Sequence, residues 1–422
     1  MKGIKNVAVT RLLTLAACAV VLSDSGRGRN QENSLKLELP APTGKRAVGR
    51  TSFHWVDSSR PEEMTDDPND RRELMVTLWY PAESATGETA PYIDNIDKLT
   101  GAIDQIHINL ARAMRLRTIA GARLSSAQRR YPVLVFSPGN EMNVAFYAAQ
   151  IEDLASHGYI VLGMDHPYES LAVFYPDGPD GRIARYSEEK RPKQGASNFQ
   201  EESERFYRRR VDWRAADAVF ALNQLEKLAA GKIASQFNGR LDLTRVGAFG
   251  HSVGGVAAAQ FCQSDRRFKA CLNLDGKVNA RPFFANSEGK GPDQPFMSFE
   301  KALPEPTEKQ LAEWKATREQ VERAREQTRN REAELLKTVK SGGYRVTLRG
   351  ATHQSFSDEP LILPFGSKEA HQRRTHIIRA YTLAFFEQSL RNRSASLLKG
   401  SSIDYPEVVV ERFGATPPSG GH

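Results

Sequence analysis

The sequence is poor in the patterns that hold metals and nucleotides. It has three cysteines and nine histidines, and it contains neither a C-x-x-C pair nor an H-E-x-x-H motif, which are spacings typical of zinc sites. A glycine-rich phosphate loop and a dinucleotide fingerprint are also absent. The sequence therefore predicts chemistry that uses no metal and no cofactor.

Long apolar runs are missing too, apart from a short one near the N-terminus. Residues 12–22 read LLTLAACAVVL and follow three basic residues. This run is too short for a membrane span, which takes roughly 20 residues, so residues 1–23 are predicted to be a secretory signal. A lipoprotein signal with Cys18 as the modified residue fits equally well, and both alternatives stay open. Either one predicts an exported protein: periplasmic, an outer-membrane lipoprotein or secreted.

Charge of one sign is not in strong excess. The chain has 59 Lys and Arg against 51 Asp and Glu, a formal net charge of +8, and removal of residues 1–17 would take away three positive charges and leave +5. The three arginines at 208–210 are not part of a nucleic-acid-binding motif and are interpreted as a solvated helix face. Nucleic acid is not a predicted partner, and the sequence leaves the oligomeric state undetermined.

Two cysteines remain after the signal, Cys262 and Cys271. An oxidising compartment would allow them to pair, but their spacing does not establish the geometry that a disulfide requires. Two free buried thiols are the prediction, and a disulfide is the alternative.

Short apolar strands alternate with helices from residue 131 onward. These strands are predicted at 131–137, 159–164, 245–249, 269–274, 295–299 and 344–348, after two earlier ones at 46–57 and 73–80. Strands buried on both faces that alternate with helices indicate a mostly parallel central sheet flanked by helices, an α/β fold. We predict one domain over residues 39–395 and a C-terminal tail over 396–422.

Two helical segments stand outside this alternation. Residues 97–124 combine apolar side chains at helical spacing with four arginines, so they are predicted to cover the core, with contact to a membrane surface as the alternative. Residues 304–340 are dense in charged side chains and are predicted to form a long, exposed helical insertion. A lid or a partner-binding arm is the alternative for this insertion.

The stretch AFGHSVGGVAAAQ, residues 248–260, carries the strongest catalytic signal. Gly250 and Gly254 flank Ser252, with a predicted strand before them and a predicted helix after them. A strand, a sharp turn and a helix are what a nucleophile elbow needs, and small flanking residues leave room for the strained serine backbone. Ser252 is therefore the candidate nucleophile.

A serine hydroxyl needs a base that removes its proton and a carboxylate that orients the base. In α/β-hydrolases these residues follow the serine in the order acid, then histidine. Asp275 comes directly after one predicted strand, and His353 lies in the loop after the last one. Other acids and histidines lie in a Gly/Pro-rich loop, on a late helix or inside the elbow: Asp293, His371, His376 and His251.

Two backbone amides are predicted to hold the negative charge that develops on the attacked carbonyl. One is the N–H of Val253, at the start of the helix after the serine. The other is the N–H of Asn140, in the turn after strand 131–137, because Pro138 has no N–H and Gly139 lets the chain turn closely.

Five ordered blocks resemble the secreted (plasma-type, isoform II) platelet-activating-factor acetylhydrolases: YPVLVFSPG, DLASHGYIV, RVGAFGHSVGG, DRRFKACLNLDG and LRGATHQSFSD. The likeness runs from about Leu39 to Phe386, and a bacterial member is expected. It implies an α/β-hydrolase fold, in which the charged segment 304–340 would lie before the catalytic histidine. It also implies a calcium-independent serine esterase for short acyl groups, including the sn-2 acetyl group of phospholipids, with Ser252, Asp275 and His353 as its triad.

Two features depart from the animal members of that family. The turn Ser137-Pro138-Gly139-Asn140 is closer to bacterial polyester hydrolases, and the insertion at 304–340 is longer. Other readings therefore stay open: a polyester (cutinase-like) or dienelactone-type esterase, or a non-catalytic protein that binds lipid or a partner.

Overall fold

Ten strands form the central sheet of the structure, a computed structural model that describes residues 37–187, 198–278, 290–363 and 366–414. In chain order the described strands are β1 (Leu37–Glu38), β2 (Ala47–Pro61), β3 (Arg71–Ala82), β4 (Met114–Arg115), β5 (Ile119–Ala120), β6 (Tyr131–Ser137), β7 (Ile160–Asp165), β8 (Ala172–Tyr175), β9 (Arg182–Arg185), β10 (Leu241–His251), β11 (Phe268–Leu274), β12 (Phe296–Lys301), β13 (Gly343–Leu348) and β14 (Val408–Phe413). The order across the large sheet is β14-β13-β12-β11-β10-β6-β7-β3-β2-β5, and β1 with β4 and β8 with β9 form two small sheets.

The middle of the large sheet is parallel, as predicted. Strands β7, β6, β10, β11, β12 and β13 all run in the same direction. All seven residues of β6 are buried, because helices cover both faces of the sheet. The carboxyl ends of these strands therefore meet at one edge, where α/β proteins bind their ligands.

Antiparallel strands close both ends of this parallel block. On one side β3 pairs with β7 and β2 pairs with β3, and on the other side β14 pairs with β13. The predicted C-terminal tail from residue 396 is therefore wrong for residues 408–413, since these form an edge strand. Val408, whose side chain is buried, anchors that strand to the core.

Helices pack on the two faces of the sheet. The described helices are α1 (Gln105–Ala113), α2 (Ala148–Ser156), α3 (Phe199–Ala229), α4 (Val253–Ser264), α5 (Glu308–Trp314), α6 (Arg318–Lys337), α7 (Glu359–Ile362) and α8 (Lys368–Arg391), with short 3-10 turns at Ile96–Leu99, Val144–Tyr147, His353–Phe356 and Ser396–Leu398. Helices α2 and α8 share one apolar core with the sheet. Helices α3 and α4 share the other.

The prediction of one helix over residues 97–124 is wrong. That segment contains the end of the 3-10 turn Ile96–Leu99 and one described α-helix, α1. Helix α1 begins after Asp104, whose carboxylate accepts a hydrogen bond from the His107 N–H at 3.0 Å. After Met114 the backbone is extended, because β4 pairs with β1 and β5 pairs with the end of β2. The arginines of this segment therefore do not share one helix face.

The charged segment 304–340 is helical, as predicted, but it is not a free arm. It contains α5 and α6, which Thr307 and Thr317 begin with capping boxes. Together they form the connection between the parallel strands β12 and β13. The last turns of α6 bury Glu332, Leu335 and Leu336, so the segment ends packed against the sheet.

Cys262 and Cys271 form a disulfide, so the prediction of two free thiols is wrong. Helix α4 and strand β11 are antiparallel neighbours along the chain, and their packing brings the two Cα atoms within 6.3 Å. The bridge ties the helix after Ser252 to the strand before Asp275.

Among the described residues, no helix combines the length and the apolarity that crossing a membrane takes. The predicted signal at residues 1–23, with Cys18, lies outside the described residues.

Candidate active site

Ser252 occupies a sharp turn between β10 and α4. Its backbone has φ 56° and ψ −122°, a region that side chains other than glycine rarely enter and that costs about 1–3 kcal/mol. The turn is held because the Ser252 N–H donates to the Leu274 carbonyl at 2.9 Å. The predicted strand–turn–helix arrangement is thus present, and the serine lies half-buried at the N-terminus of α4.

The two flanking glycines are required by close backbone approaches. A Cβ at Gly250 would lie 2.2 Å from the Gly254 carbonyl oxygen, and a Cβ at Gly254 would lie 2.1 Å from that of Ser137. Strand β6 pairs Ser137 with Gly250, so the elbow is pressed against the end of the neighbouring strand. No other residue fits these positions without moving the backbone.

Asp275 and His353 meet directly, although 78 residues separate them. The Nδ1 of His353 is 2.5 Å from Oδ2 of Asp275. The Asp275 side chain is 5% exposed and that of His353 is 37% exposed, so the carboxylate is enclosed while the imidazole faces solvent. This contact fixes the ring and leaves Nε2 available to accept a proton.

Lys301 is a third member of this contact that sequence reasoning missed. Its Nζ is 2.7 Å from Oδ2 of Asp275, and its backbone N–H donates to Oδ1 at 3.1 Å. Burial alone would raise the pKa of Asp275, but the hydrogen bond from His353 and the charge of Lys301 outweigh it and hold that pKa below its ordinary value. Asp275 is therefore an anion at neutral pH.

His251 joins the elbow to the loop that carries His353. Its Nε2 donates to the His353 carbonyl at 3.0 Å, and the two rings lie 4.5 Å apart. His251, which directly precedes Ser252, thus holds the backbone of His353. In the described part of the chain, no hydrogen bond joins the Ser252 hydroxyl to His353. Such bonds are often long or unformed before substrate binds.

His251 is buried and both of its ring nitrogens have hydrogen-bond partners. Burial, then the charge of His353, lowers the pKa of His251 well below its ordinary value. Its Nδ1 accepts from the Tyr147 hydroxyl at 2.8 Å, and that hydroxyl accepts from the Gly139 N–H at 2.9 Å. Both ring nitrogens are thus occupied, as the interpretation of His251 as a packed neighbour requires.

The two predicted oxyanion amides follow the ends of two neighbouring strands, β10 and β6. Neither the N–H of Val253 nor that of Asn140 donates to another group in the described residues. Val253 is the first residue of α4, where backbone amides point out of the helix and favour negative charge. Asn140 follows β6, whose end contacts Gly254.

A buried group of charged side chains lies beneath the turn that carries Asn140. Helix α3 contributes Arg210, Arg214 and Asp217, at spacings that place them on one helix face. Arg210 is 2% exposed and Arg214 fully buried, so the interpretation of residues 208–210 as a solvated face is wrong for Arg210. In the sequence, only the helical spacing of these three residues pointed to a shared face. The side chains that they contact are distant in the chain, so the sequence did not predict that the group is buried.

A small, partly open pocket lies beside the segment that follows His353. Its lining is mainly apolar and aromatic, and one carboxylate faces it: Tyr92, His107, Leu110, Ala111, Phe146, Glu359, Ile362 and Leu363. The Asp358 N–H donates to the Phe146 carbonyl at 2.6 Å, which ties the loop after His353 to the segment after the oxyanion turn. None of the candidate triad residues lines this pocket.

One group of possible metal ligands occurs among the described residues, away from this site. His54, Glu73 and Asp177 bring their ligand atoms within 4.8 Å of one another. The guanidinium of Arg182 already contacts both carboxylates, at 2.8 and 2.7 Å. These residues form an ion-pair cluster, and we assign no metal to it.

The parallel sheet and the strained serine at the end of its central strand define an α/β-hydrolase. The comparison with solved structures agrees: a ferulic acid esterase from Streptomyces cinnamoneus matches with a TM-score of 0.67 and 27% identity, over 89% of this chain and 99% of that one. The family model of platelet-activating factor acetylhydrolase, isoform II, matches residues 32–368. The chain belongs to that family.

Curated relatives carry the same description. A probable 1-alkyl-2-acetylglycerophosphocholine esterase from Arthroderma benhamiae is 24% identical over 88% of this chain and 93% of its own. The platelet-activating factor acetylhydrolase of Gallus gallus is 23% identical over 76% of this chain and 74% of its own. These relatives and the esterase neighbour identify the chain as an ester hydrolase.

Proposed function

We propose that Ser252, His353 and Asp275 form the catalytic triad of this esterase. The observation that carries the proposal is the 2.5 Å contact of His353 with Asp275 beside the strained Ser252 turn. Asp275 holds the Nδ1 proton of His353, so Nε2 takes the proton of Ser252 as its hydroxyl attacks the ester carbonyl. The amides of Val253 and Asn140 bind the oxygen that becomes negative.

The reaction then proceeds through an acyl-enzyme. The C–O bond to the alcohol breaks, and His353 passes its proton to the leaving alkoxide. A water molecule gives its proton to Nε2 and attacks the acyl group, and the carboxylic acid leaves as Ser252 regains the proton. No metal or cofactor takes part in these steps.

The preferred substrate class is a phospholipid with a short sn-2 acyl group, acetylated or oxidised. The name of the Arthroderma benhamiae relative supports it. A second candidate is an ester of an aromatic acid, which the ferulic acid esterase neighbour favours because it aligns over nearly its whole length. Polyester and dienelactone-type substrates remain as further alternatives.

An exported location fits this chemistry. The Cys262–Cys271 disulfide supports an oxidising compartment, because disulfides persist outside the cytosol and are rare within it. The proposal covers the periplasm, the outer membrane through a lipid on Cys18, and the extracellular medium.

The first experiment compares the mature enzyme with its Ser252→Ala variant on p-nitrophenyl acetate. The variant should lose at least about a thousand-fold in kcat, since the nucleophile is gone. Ser264→Ala, which changes an exposed serine at the other end of α4, is the matched control and should keep the wild-type rate. Equal rates for wild type and Ser252→Ala would reject the triad.

The substrate class is tested with two natural-type esters. An acetylated phosphatidylcholine and methyl ferulate should differ in kcat/KM, with the phospholipid preferred. Preference for the ferulate would select the second candidate. Liposome binding without hydrolysis of any ester would instead select the non-catalytic lipid-binding alternative.

A further inference from the structure

A second row of serine, histidine and aspartate lies buried behind the candidate site. The Ser137 Oγ is 2.9 Å from His166 Nε2, and His166 Nδ1 is 2.8 Å from Asp217 Oδ2. All three side chains are fully buried. A substrate therefore cannot reach Ser137, and this row needs another explanation than a second reaction centre.

The protonation of this row follows from its partners. Asp217 receives hydrogen bonds from Arg72 at 3.1 and 2.7 Å, and from Arg60 at 2.7 Å, so it is an anion and the His166 Nδ1–H donates to it. The His166 Nε2 then accepts from the Ser137 hydroxyl. Burial and the neighbouring charge of Arg214 both lower the pKa of His166, which keeps the ring neutral.

Arg214 connects this row to the turn that carries Asn140. Its Nη1 donates to the Ser137 Oγ at 3.2 Å and to the Pro138 carbonyl at 2.5 Å, while its Nε donates to Glu169 at 2.7 Å. The carbonyl of Glu169 in turn accepts from the Glu141 N–H at 2.9 Å. The Arg214 guanidinium thus holds the start of the turn directly and its end through Glu169.

Among the backbone amides of this turn, the N–H of Asn140 is the one left without an acceptor in the described residues. The Gly139 N–H donates to Tyr147 and the Glu141 N–H donates to Glu169. The Asn140 side chain is held by Arg210, at 2.8 Å from its Oδ1. The Asn140 N–H lies between these anchored groups and donates to nothing in the described residues.

We infer that Ser137, His166, Asp217 and Arg214 are positioning residues, which aim the Asn140 N–H at the oxyanion. The inference rests on the proposed function, because an oxyanion donor has a role only if Ser252 attacks an ester. A donor held by buried charges does not need to reorganise when the negative charge appears, and this preorganisation lowers the barrier. Its loss should weaken transition-state binding and leave substrate binding unchanged.

The test uses Ser137→Ala, which removes one buried hydroxyl. Its kcat/KM for p-nitrophenyl acetate should fall by about 10- to 100-fold, somewhat less than the removal of a whole oxyanion donor. The affinity for an alkyl trifluoromethyl ketone should fall by the same factor, because the Ser252 hydroxyl adds to its carbonyl carbon and the carbonyl oxygen becomes an oxyanion. The affinity for the matching methyl ketone, which stays uncharged, should stay within about two-fold.

Ser156→Ala is the matched control. Ser156 is also fully buried, and its hydroxyl donates to Asp153 at 2.6 Å and accepts from the Gly44 N–H at 3.0 Å, but it lies in α2. It should lower stability like Ser137→Ala and leave both ketone affinities unchanged. Equal losses for both ketones in Ser137→Ala, or an unchanged kcat/KM, would overturn the inference.

A second variant, Arg214→Lys, keeps the charge beside Glu169 but cannot reach three acceptors at once. It should show the same selective loss of affinity for the trifluoromethyl ketone, and wild-type affinity would count against the inference. Labelling by a fluorophosphonate should modify Ser252 alone, and an adduct on Ser137 would overturn the positioning role. Activity that survives Ser252→Ala would reject the proposed function itself, which keeps the two failures distinct.

Discussion

Lys301 and His353 contact the same oxygen of Asp275: the Nζ is 2.7 Å from Oδ2, and the Nδ1 is 2.5 Å from it. The acid of the candidate triad therefore shares its negative charge between a fixed cation and the imidazole. A positive charge beside the carboxylate weakens the support that Asp275 gives to a protonated imidazole. The structure thus places a charge where it can set the pH range of the enzyme.

Lys301→Met should move the acidic limb of the kcat/KM profile to higher pH. Without the cation, no positive charge next to Asp275 opposes the positive charge that the imidazole takes up when it acts as the base. We expect a shift of about half to one pH unit, since Lys301 is partly exposed and screened. The profile is measured with p-nitrophenyl acetate between pH 5 and 9, within the range in which histidine bases titrate.

The control for that shift is Lys340→Met. Lys340 makes a comparable contact, 2.8 Å from Asp293, but both side chains are exposed and lie away from the triad. Its profile should match the wild type. A profile of Lys301→Met that also matches the wild type would show that Lys301 does not tune the base.

Gly254→Ala should abolish the folded elbow. The added Cβ would lie 2.1 Å from the Ser137 carbonyl oxygen and 2.4 Å from that of Pro138, and neither backbone atom can move cheaply. We expect little soluble protein and no esterase activity. Gly239→Ala, where φ is +67° and no atom lies within 4 Å of the new Cβ, should cost only about 1–2 kcal/mol and stay active.

Reduction of the Cys262–Cys271 disulfide should destabilise the protein more than it inactivates it. The bridge closes a short loop with a separation of nine residues, for which the chain-entropy estimate is about 2–3 kcal/mol. Urea unfolding with and without a reductant measures this loss. The double variant Cys262→Ser/Cys271→Ser should show the same loss of stability without a reductant. Any further destabilisation of that variant by the reductant would rule out this disulfide as the cause of the reductant's effect.

Asp358→Asn should flatten the pH dependence of stability between about pH 5 and 8. Burial raises the pKa of Asp358 to about 8, so the folded protein retains a proton that the unfolded chain releases near pH 4. Stability from this group is therefore full at low pH and is lost as the pH rises toward 8. The amide can still accept from Tyr92 and Ala149, which bond Asp358 at 3.2 and 3.3 Å.

The measurement is urea unfolding at pH 5 and pH 8.5 for both proteins. The wild type should lose more stability than Asp358→Asn across this interval. Asp66→Asn, at an exposed position, should behave like the wild type. An equal pH dependence of Asp358→Asn and wild type would mean that Asp358 ionises normally.

Sequence patterns within single segments predicted the strands and helices whose form depends mainly on those segments themselves. Apolar runs predicted the parallel strands, because a strand covered on both faces must be apolar throughout. The same reasoning was wrong for residues 97–124, where helical spacing was overridden by pairing of β4 and β5 with distant strands. It also missed β14 (Val408–Phe413), although three consecutive valines, which favour extended backbone, begin that strand.

In the candidate site, too, local features were predicted from the sequence and long-range contacts were not. The sequence by itself determined the elbow around Ser252, because glycine spacing and a strand–helix junction are local features, and it selected Asp275 and His353 from their positions after strands. Only the tertiary structure showed that Lys301 contacts Asp275, that Arg214 contacts the Pro138 carbonyl, and that Cys262 pairs with Cys271. Ion pairs and disulfides depend on distances across the fold, which the spacing of residues along a chain does not contain.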